Sequence, residues 1–296
     1  MVGSVGFVGL GAIGSPIAHR ILLRRGALTV FDINAAACEP LIVQGARRAS
    51  SVAEIADLCD VVFVCVDPPD AYRQVVLGAD GIIDGSRLRY YVHIGTTGPD
   101  LIRELAEALG RRGIVTLDAP MTGGPARARE GRMTVMAAGD AAALKAIEPL
   151  FAAYATHIVP VAPEPGPAQI LKIINNTITA ANLAVAAEAL VLGTKAGLDP
   201  AAILEVVNSG SARSDVTMTK FPRHVLTRSF DFGAAMSLVS NDLGACLREA
   251  ERLRVPMSVG RAVWELFRRA MTEGSSRDDL TRVVERIEAW AGVEHP

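Results

Sequence analysis

Residues able to do chemistry are concentrated in a few segments of this 296-residue chain. Near the start, Gly9-Leu10-Gly11-Ala12-Ile13-Gly14 follows the apolar run Val5-Gly6-Phe7-Val8 and precedes the helical spacing of Ile17 to Leu23. In such a strand, turn and helix the glycines let the backbone turn tightly and approach a pyrophosphate, whose charge then sits at the helix N-terminus. Asp32 comes 23 residues after Gly9, where an acidic side chain can accept hydrogen bonds from ribose hydroxyls and repel a 2′-phosphate. That favours NAD over NADP, although Arg47 or Arg48 could still receive the extra phosphate. Without a dinucleotide the same residues are an ordinary glycine turn and a loop aspartate.

The second group is Lys172 with Asn175 and Asn176, a lone lysine and two amides in the apolar stretch from Gly166. Their i, i+3 and i+4 spacing brings all three side chains out of one helix face. A lysine in apolar surroundings is costly to keep charged, so desolvation draws its pKa toward neutrality, where it can exchange a proton with a hydroxyl. Hydride transfer needs such a partner: an alcohol losing hydride must lose its O–H proton, and a carbonyl gaining hydride must be protonated. Asn175 and Asn176 can hold the reacting oxygen and the ammonium in register. Spacing alone fits equally a lysine that snorkels to water, with the asparagines capping a neighbouring loop.

Positioning these groups requires alternating elements. Val5 to Val8, Leu28 to Phe31, Val61 to Val66, Tyr90 to Ile94 and Ile114 to Leu117 read as strands separated mostly by helical or polar segments. That alternation implies a parallel sheet covered by helices. Met133 to Ala138 and His157 to Val161 read as two further strands, after which Pro163, Pro165, Gly166 and Pro167 punctuate the chain. From Ala168 nearly everything reads as helix, beginning with a stretch to about Ala196 that stops at Gly197, a C′ glycine. This helix is apolar on almost every face, so it is expected to be buried on all sides, by a core or by a subunit interface.

The expected architecture is therefore α/β. Residues 1–163 form a Rossmann-type dinucleotide-binding domain with a mostly parallel sheet, and residues 164–296 an all-helical substrate and dimerisation domain that begins with a long interdomain helix. No internal repeat is present, and the only tail is the short polar end from Val293 to Pro296.

Composition narrows the function. Half the residues are hydrophobic but only 5% are aromatic, so the interior must be built mainly from Ala, Val, Leu and Ile, as suits an α/β protein with a helical partner domain. A net charge of −2 without any run of Lys or Arg leaves no electrostatic footprint for nucleic acid. Cys38, Cys59, Cys65 and Cys246 have neither CxxC spacing nor His companions, so no metal is expected. They suit small buried thiols in a reducing cytoplasm. The most apolar stretch, Ile173 to Leu192, carries Asn175, Asn176, Asn182 and Glu188, and the N-terminus lacks a basic region, so neither a membrane span nor a signal peptide is expected.

Four motifs in order make the chain resemble the β-hydroxyacid dehydrogenase family, which includes 3-hydroxyisobutyrate and, more distantly, 6-phosphogluconate dehydrogenases. The first is the glycine turn with Pro16 and Ala18, which implies that Gly9, Leu10, Gly11, Ala12, Ile13 and Gly14 hold the cofactor. The second, Asp118-Ala119-Pro120-Met121-Thr122-Gly123-Gly124 with Ala128 and Gly131, is similar to the family's DAPVSGG substrate segment. Thr122 keeps the hydroxyl of the usual serine, and by resemblance Thr122, Gly123 and Gly124 would hold a substrate carboxylate, as a hydroxyl and glycine amides in an anion nest can. Read without the family, Thr-Gly-Gly is simply a loop.

The third motif is the GxxxxxK segment ending at Lys172, which the resemblance makes the general acid/base, with Asn175 beside it and Asn176 orienting the substrate. The fourth, Asn241-Asp242-Leu243-Gly244, resembles the family's Lys-Asp-Leu-Gly, with Asn241 replacing a lysine that lies near nicotinamide and substrate. Ala234, eight residues before Asp242, stands where relatives often carry phenylalanine. Both departures could enlarge or neutralise the pocket, and Arg127, Arg213 and Arg223 are candidates for the missing cation. Thr96 matches the threonine that relatives place beside the nicotinamide end; without that match it is a turn residue.

The resemblance implies hydride transfer between NAD, or NADP, and a small β-hydroxy acid or its semialdehyde. A homodimer or homotetramer in the cytoplasm is expected. Imine reduction on the same fold is one alternative, although related imine reductases usually lack the lysine. A non-catalytic dinucleotide-binding protein is another, with little reason to retain Lys172, Asn176 and Thr-Gly-Gly together.

Overall fold

The computed structural model describes residues 2–293, so most of the polar C-terminal end lies outside the described residues. The chain falls into two compact units that divide between Lys172 and Ile173. Among the described residues of the first unit, β1 Val5–Val8, β2 Thr29–Phe31, β3 Arg47–Arg48, β4 Val61–Val64, β5 Tyr90–His93, β6 Val115–Asp118, β7 Met121–Thr122, β8 Met133–Ala138 and β9 Ala155–Ala162 form one sheet. Its order is β3-β2-β1-β4-β5-β6-β8-β7, with β9 also paired to β8. From β3 to β6 all neighbours are parallel, whereas β8 runs antiparallel to β6 and β7. The strand order reverses direction between β1 and β4, the switch point at which doubly wound sheets bind ligands.

The helices of this unit are α1 Gly14–Arg25, α2 Glu39–Ile42, α3 Val52–Leu58, α4 Asp70–Leu77, α5 Pro99–Gly110, α6 Gly124–Glu130, α7 Ala141–Phe151 and the start of α8 Pro167–Lys195. They cover a sheet whose central strands are apolar on both faces. Val5, Phe7, Val61 and Phe63 supply one core layer, while Val8, Val62 and Val64 supply the other. The rings of Phe7 and Phe63 stack with centroids 6.0 Å apart, and fully burying a ring of this size contributes roughly 1.5–3 kcal/mol.

The fold class read from the sequence is the one observed, with differences at the strand ends. β4 and β5 stop at Val64 and His93, short of the expected Val66 and Ile94, and β6 runs on to Asp118. Two-residue β3 and β7 escaped the sequence reading because an alternating pattern needs about four residues to be recognised.

The second unit is helical. It comprises the remainder of α8, then α9 Pro200–Ser209, a π-helix over Val216–Val225, α10 Met236–Arg252, α11 Ser258–Glu273 and α12 Val283–Ala291. Leu183, Ala187, Phe221, Leu243, Phe267 and Val283 share its core. α8 stops at Lys195, and Gly197 follows with φ +85°, the left-handed conformation of a C′ glycine.

The single chain supplies only part of the burial expected of α8. α8 is not buried on all sides of the single chain: Ile174, Ile178, Val185 and Leu192 are 43%, 57%, 60% and 72% exposed. Their spacing lines them up along one stripe of the helix, and Ile173, Ala180, Leu183, Ala187 and Leu190 are buried on the other side. Apolar periodicity reports that a face leaves water, not whether a core or a partner receives it.

Candidate active site

The ladder register sets a row of residues across the sheet. Phe31, Val8, Val64, His93 and Asp118 are successive partners on β2, β1, β4, β5 and β6, a row about 19 Å wide at the usual strand spacing. Expected site residues leave this row at the carboxyl edge: Asp32 after β2, the glycine turn after β1, Thr96 after β5 and Thr122 to Gly124 after β6. Register alone therefore brings together groups separated by more than a hundred residues.

At the turn, Gly9 has φ +92°, and a Cβ there would lie 2.1 Å from the Cys65 carbonyl oxygen. A Cβ on Gly14 would lie 2.0 Å from the Gly9 carbonyl oxygen, so the close approach of α1 to β1 also demands glycine. Gly11 differs, since a Cβ there meets nothing within 4 Å, leaving open space over exposed Ala12. α1 starts without a side-chain cap, but Pro16 has no N–H and the Ser15 and Ile17 amides donate to the Gly11 and Ile13 carbonyls at 3.0 and 3.5 Å, so an anion at this helix start would be met by the backbone of the glycine turn that precedes them. Leu10 and Asn34 donate their backbone N–H groups to Asp32 Oδ2 and Oδ1, at 2.6 and 2.8 Å. A carboxylate offers about four acceptor sites, so the fixed Asp32 retains capacity for two ribose hydroxyls. These residues fit a dinucleotide. Of the two nearby arginines, Arg47 is held 3.0 Å from Glu54.

Beneath the loop after β5 lies a buried polar network. His93 is fully buried, with the Tyr91 hydroxyl 2.8 Å from Nδ1, Thr97 Oγ1 3.1 Å from Nε2 and the Tyr72 ring centroid 4.1 Å away. Burial pulls the His93 pKa down to about 3, so the ring is neutral. The neutral ring donates through one nitrogen and accepts through the other, and the Tyr91 and Thr97 hydroxyls can serve either role. In the first turn of α8, Gln169 accepts from the Thr97 and Gly98 amides at 2.8 and 3.2 Å. Its Nε2 donates to the Gly95 carbonyl at 3.0 Å and to Asp118 Oδ1 at 2.7 Å. Burial raises the Asp118 carboxyl to about 6, against the pull of the Gln169 side chain and the Gly166 and Gln169 amides.

Sequence reasoning gave His93, Asp118 and Gln169 no separate role. One signal existed: Tyr91 and His93 alternate on a strand otherwise fit for burial, and polar side chains there must find partners.

Thr122, in the second motif, is half-buried on β7 opposite Thr134. Gly123 and Gly124 follow with φ +138° and +72°, consecutive angles that side-chain-bearing residues rarely adopt. Lys172 is half-buried in the second turn of α8. Arg127 is exposed on α6.

In the second unit Asn175 Nδ2 donates to Asn176 Oδ1 at 3.1 Å, and Asn176 Nδ2 donates to Asp242 Oδ2 at 2.5 Å. The third and fourth motifs are thus joined through Asn176 and Asp242. Asn241 is exposed, as are Arg213 and Arg223. A cation unforeseen from the sequence, Lys220, is only 6% exposed; its Nζ lies 2.8 Å from Asp215 Oδ2 and 4.8 Å from the Phe232 ring centroid. Lys220 sits in the π-helix, whose i→i+5 bonding leaves no periodic sequence signal.

Comparison with known proteins identifies the class. Residues 4–162 match the NAD binding domain of 6-phosphogluconate dehydrogenase, and residues 166–287 match the NAD-binding domain of NADP-dependent 3-hydroxyisobutyrate dehydrogenase. The chain is 29% identical over 290 residues to 2-(hydroxymethyl)glutarate dehydrogenase of Eubacterium barkeri, covering 98% of this chain and 96% of the relative. It is 32% identical over 302 residues to L-threonate dehydrogenase of Cupriavidus necator, covering 99% and 98%. The crystal structure of 3-hydroxyisobutyrate dehydrogenase from Salmonella typhimurium superposes with a TM-score of 0.87 at 28% identity, over 96% of this chain and 99% of that one. This chain belongs to the β-hydroxyacid dehydrogenase family and is an NAD(P)-dependent hydroxyacid dehydrogenase. By length and composition alone α8 could cross a membrane; the match over residues 166–287 makes it part of a dehydrogenase domain instead.

Proposed function

We propose that this enzyme moves a hydride between NAD and a small β-hydroxy acid or its semialdehyde. The observation that carries the reading is the single row on the sheet from which the cofactor turn, Asp32, Thr96 and the Thr122 to Gly124 segment all emerge. Bound along that edge, the nicotinamide would supply or accept the hydride. Gly9, Leu10, Gly11, Ala12, Ile13 and Gly14 hold its phosphates, Asp32 the adenosine ribose, and Thr96 the nicotinamide end. Thr122, Gly123 and Gly124 grip the substrate carboxylate through a hydroxyl and glycine amides. Lys172 gives or takes the proton of the reacting oxygen, and Asn176, steadied by Asn175 and Asp242, orients that oxygen.

A panel of small β-hydroxy acids and their semialdehydes, followed at the NADH absorbance in both directions, tests this reading. At least one carboxylate substrate is expected to turn over, with NADH bound at least tenfold more tightly than NADPH because the Asp32 carboxylate repels a 2′-phosphate. Turnover of cyclic imines with NADPH, and none on the acids, would select the imine reductase alternative that Asn241 and Ala234 keep open. The reverse cofactor order would remove Asp32 from its assigned role.

The exposed stripe of Ile174, Ile178, Val185 and Leu192 supports a homodimer or homotetramer, since monomers seldom expose contiguous apolar surface of this kind. Gel filtration is expected to return at least twice the chain mass; a compact monomer would contradict the assembly. The unpaired Cys38, Cys59, Cys65 and Cys246 support a reducing compartment such as the cytoplasm.

A further inference from the structure

Gln169 carries more connections than any role given to it so far accounts for. It is fully buried, and the four hydrogen-bonding positions of its amide are all used. Oε1 accepts from two backbone amides, of Thr97 and Gly98, while the two Nε2 hydrogens go to the Gly95 carbonyl and Asp118 Oδ1. An amide rotated by half a turn would aim hydrogens at two N–H groups and oxygen at a carbonyl and a carboxylate, so its orientation is fixed. Asp118 Oδ2 completes the link by accepting from the amides of Gly166 and Gln169 at 2.9 and 3.3 Å. Three segments thereby become one rigid piece: the loop from Gly95 to Gly98, the end of β6, and the first turn of α8. Lys172 follows Gln169 by three residues on the same helix, so its backbone is carried by that piece.

We propose that Gln169 is a positioning residue for the reaction: its amide locks the loop bearing Thr96 to the helical turn bearing Lys172, and so sets the register between hydride transfer and proton transfer. The inference rests on the reading in which Thr96 faces the nicotinamide and Lys172 is the acid/base. Gln169 touches neither substrate nor cofactor in this account. Removing it leaves two amides, a carbonyl and a carboxylate oxygen without their partner in a buried site, and the loop must reseat to recover bonds. A shift of about 1 Å in such a constellation is enough to cost about a hundredfold in rate.

The test is Gln169→Ala in the full-length enzyme. kcat is expected to fall about a hundredfold, while the NADH dissociation constant stays within about threefold, because the glycine turn and Asp32 are untouched. The primary deuterium isotope effect with 4-deuterated NADH should rise, since hydride transfer becomes limiting in place of a conformational or release step. A merely structural role would lower the fraction of active enzyme and leave the isotope effect and KM at the parental values; that result, or a kcat within about threefold of the parent, would overturn the proposal. Gln169→Glu guards against a folding failure. It keeps the acceptor for Thr97 and Gly98 but sets a second oxygen against the Gly95 carbonyl and Asp118, near the Arg103 charge and the neutral His93. Its kcat is expected to be low at pH 8 and to recover as the pH falls toward 6 and a proton enters between the two carboxyl groups; parental kcat at pH 8 would count against the lock. Lys172→Ala tests the underlying reading separately: retained turnover there would remove the assigned base, whereas the isotope effect reports on Gln169 alone.

Discussion

Replacing Lys172 with alanine is expected to lower kcat by about 10⁴-fold, near the top of the range for a positioned acid or base and equal to roughly 5 kcal/mol of barrier. Two facts make the loss large. In the proposed reaction a hydride and a proton part from one carbon–oxygen unit, so without a partner for the proton the oxygen must develop charge. Lys172 is half-buried, and a proton partner held on a helix is in place at each turnover, which water from solvent is not. NADH affinity should change less than about threefold, because the turn proposed to hold the phosphates lies between β1 and α1 and includes no atom of Lys172. Stopped-flow turnover together with a fluorescence titration measures both quantities. Substantial residual turnover would reassign the proton to another group, and Lys220, buried in the second unit, would then be the first to examine.

Acid sensitivity supplies the second large effect. His93 stays neutral in the folded chain down to about pH 3, whereas its ordinary value is 6.5. The unfolded chain takes up that proton first, so stability from this histidine is intact above pH 6.5 and drains away as the pH falls toward 3, by about 3 kcal/mol at pH 4. Asp118 acts in the opposite sense. Its carboxyl is raised from 3.8 to about 6, so its contribution is fully present below 3.8 and is lost as the pH rises through 6, again by about 3 kcal/mol. Between pH 7 and pH 4 the two nearly offset one another in the native enzyme. His93→Gln, which cannot titrate, should therefore gain about 3 kcal/mol relative to the parent on passing from pH 7 to pH 4. Urea unfolding at the two pH values checks this; an equal change in both proteins would mean that the histidine is protonated in the fold.

The sheet explains why these two residues sit where they do. His93 and Asp118 are register partners at the last position of β5 and β6, at the edge from which Thr96 and Thr122 emerge. The loop from Gly95 to Gly98, which carries the proposed nicotinamide contact Thr96, lies over this buried pair through Thr97 and Gln169. Gly95 itself is dictated from beneath, since a Cβ there would fall 1.8 Å from the Tyr72 hydroxyl.

Much of this was legible in the residues. Glycines at positions 9, 11 and 14 between an apolar run and a helical pattern specify a tight strand-to-helix turn because backbone freedom and strand-to-helix geometry are local properties. Asp32, the alternation of apolar runs with helical segments, and the stop of α8 at Gly197 are local in the same sense. The spacing of Lys172, Asn175 and Asn176 fixes a common helix face before any packing is known. Tertiary structure alone decided the rest, because it depends on which distant segments become neighbours. The alignment of Phe31, Val8, Val64, His93 and Asp118 into one row follows from strand order and register. The convergence of Gln169 on Gly95, Thr97, Gly98 and Asp118 joins groups about 50 to 75 residues apart, and no periodicity encodes it. The apolar surface of α8 was visible in the sequence, but only packing divided it into a side taken by the core and a stripe left exposed on the single chain, because hydrophobicity is non-directional and does not name what will cover it.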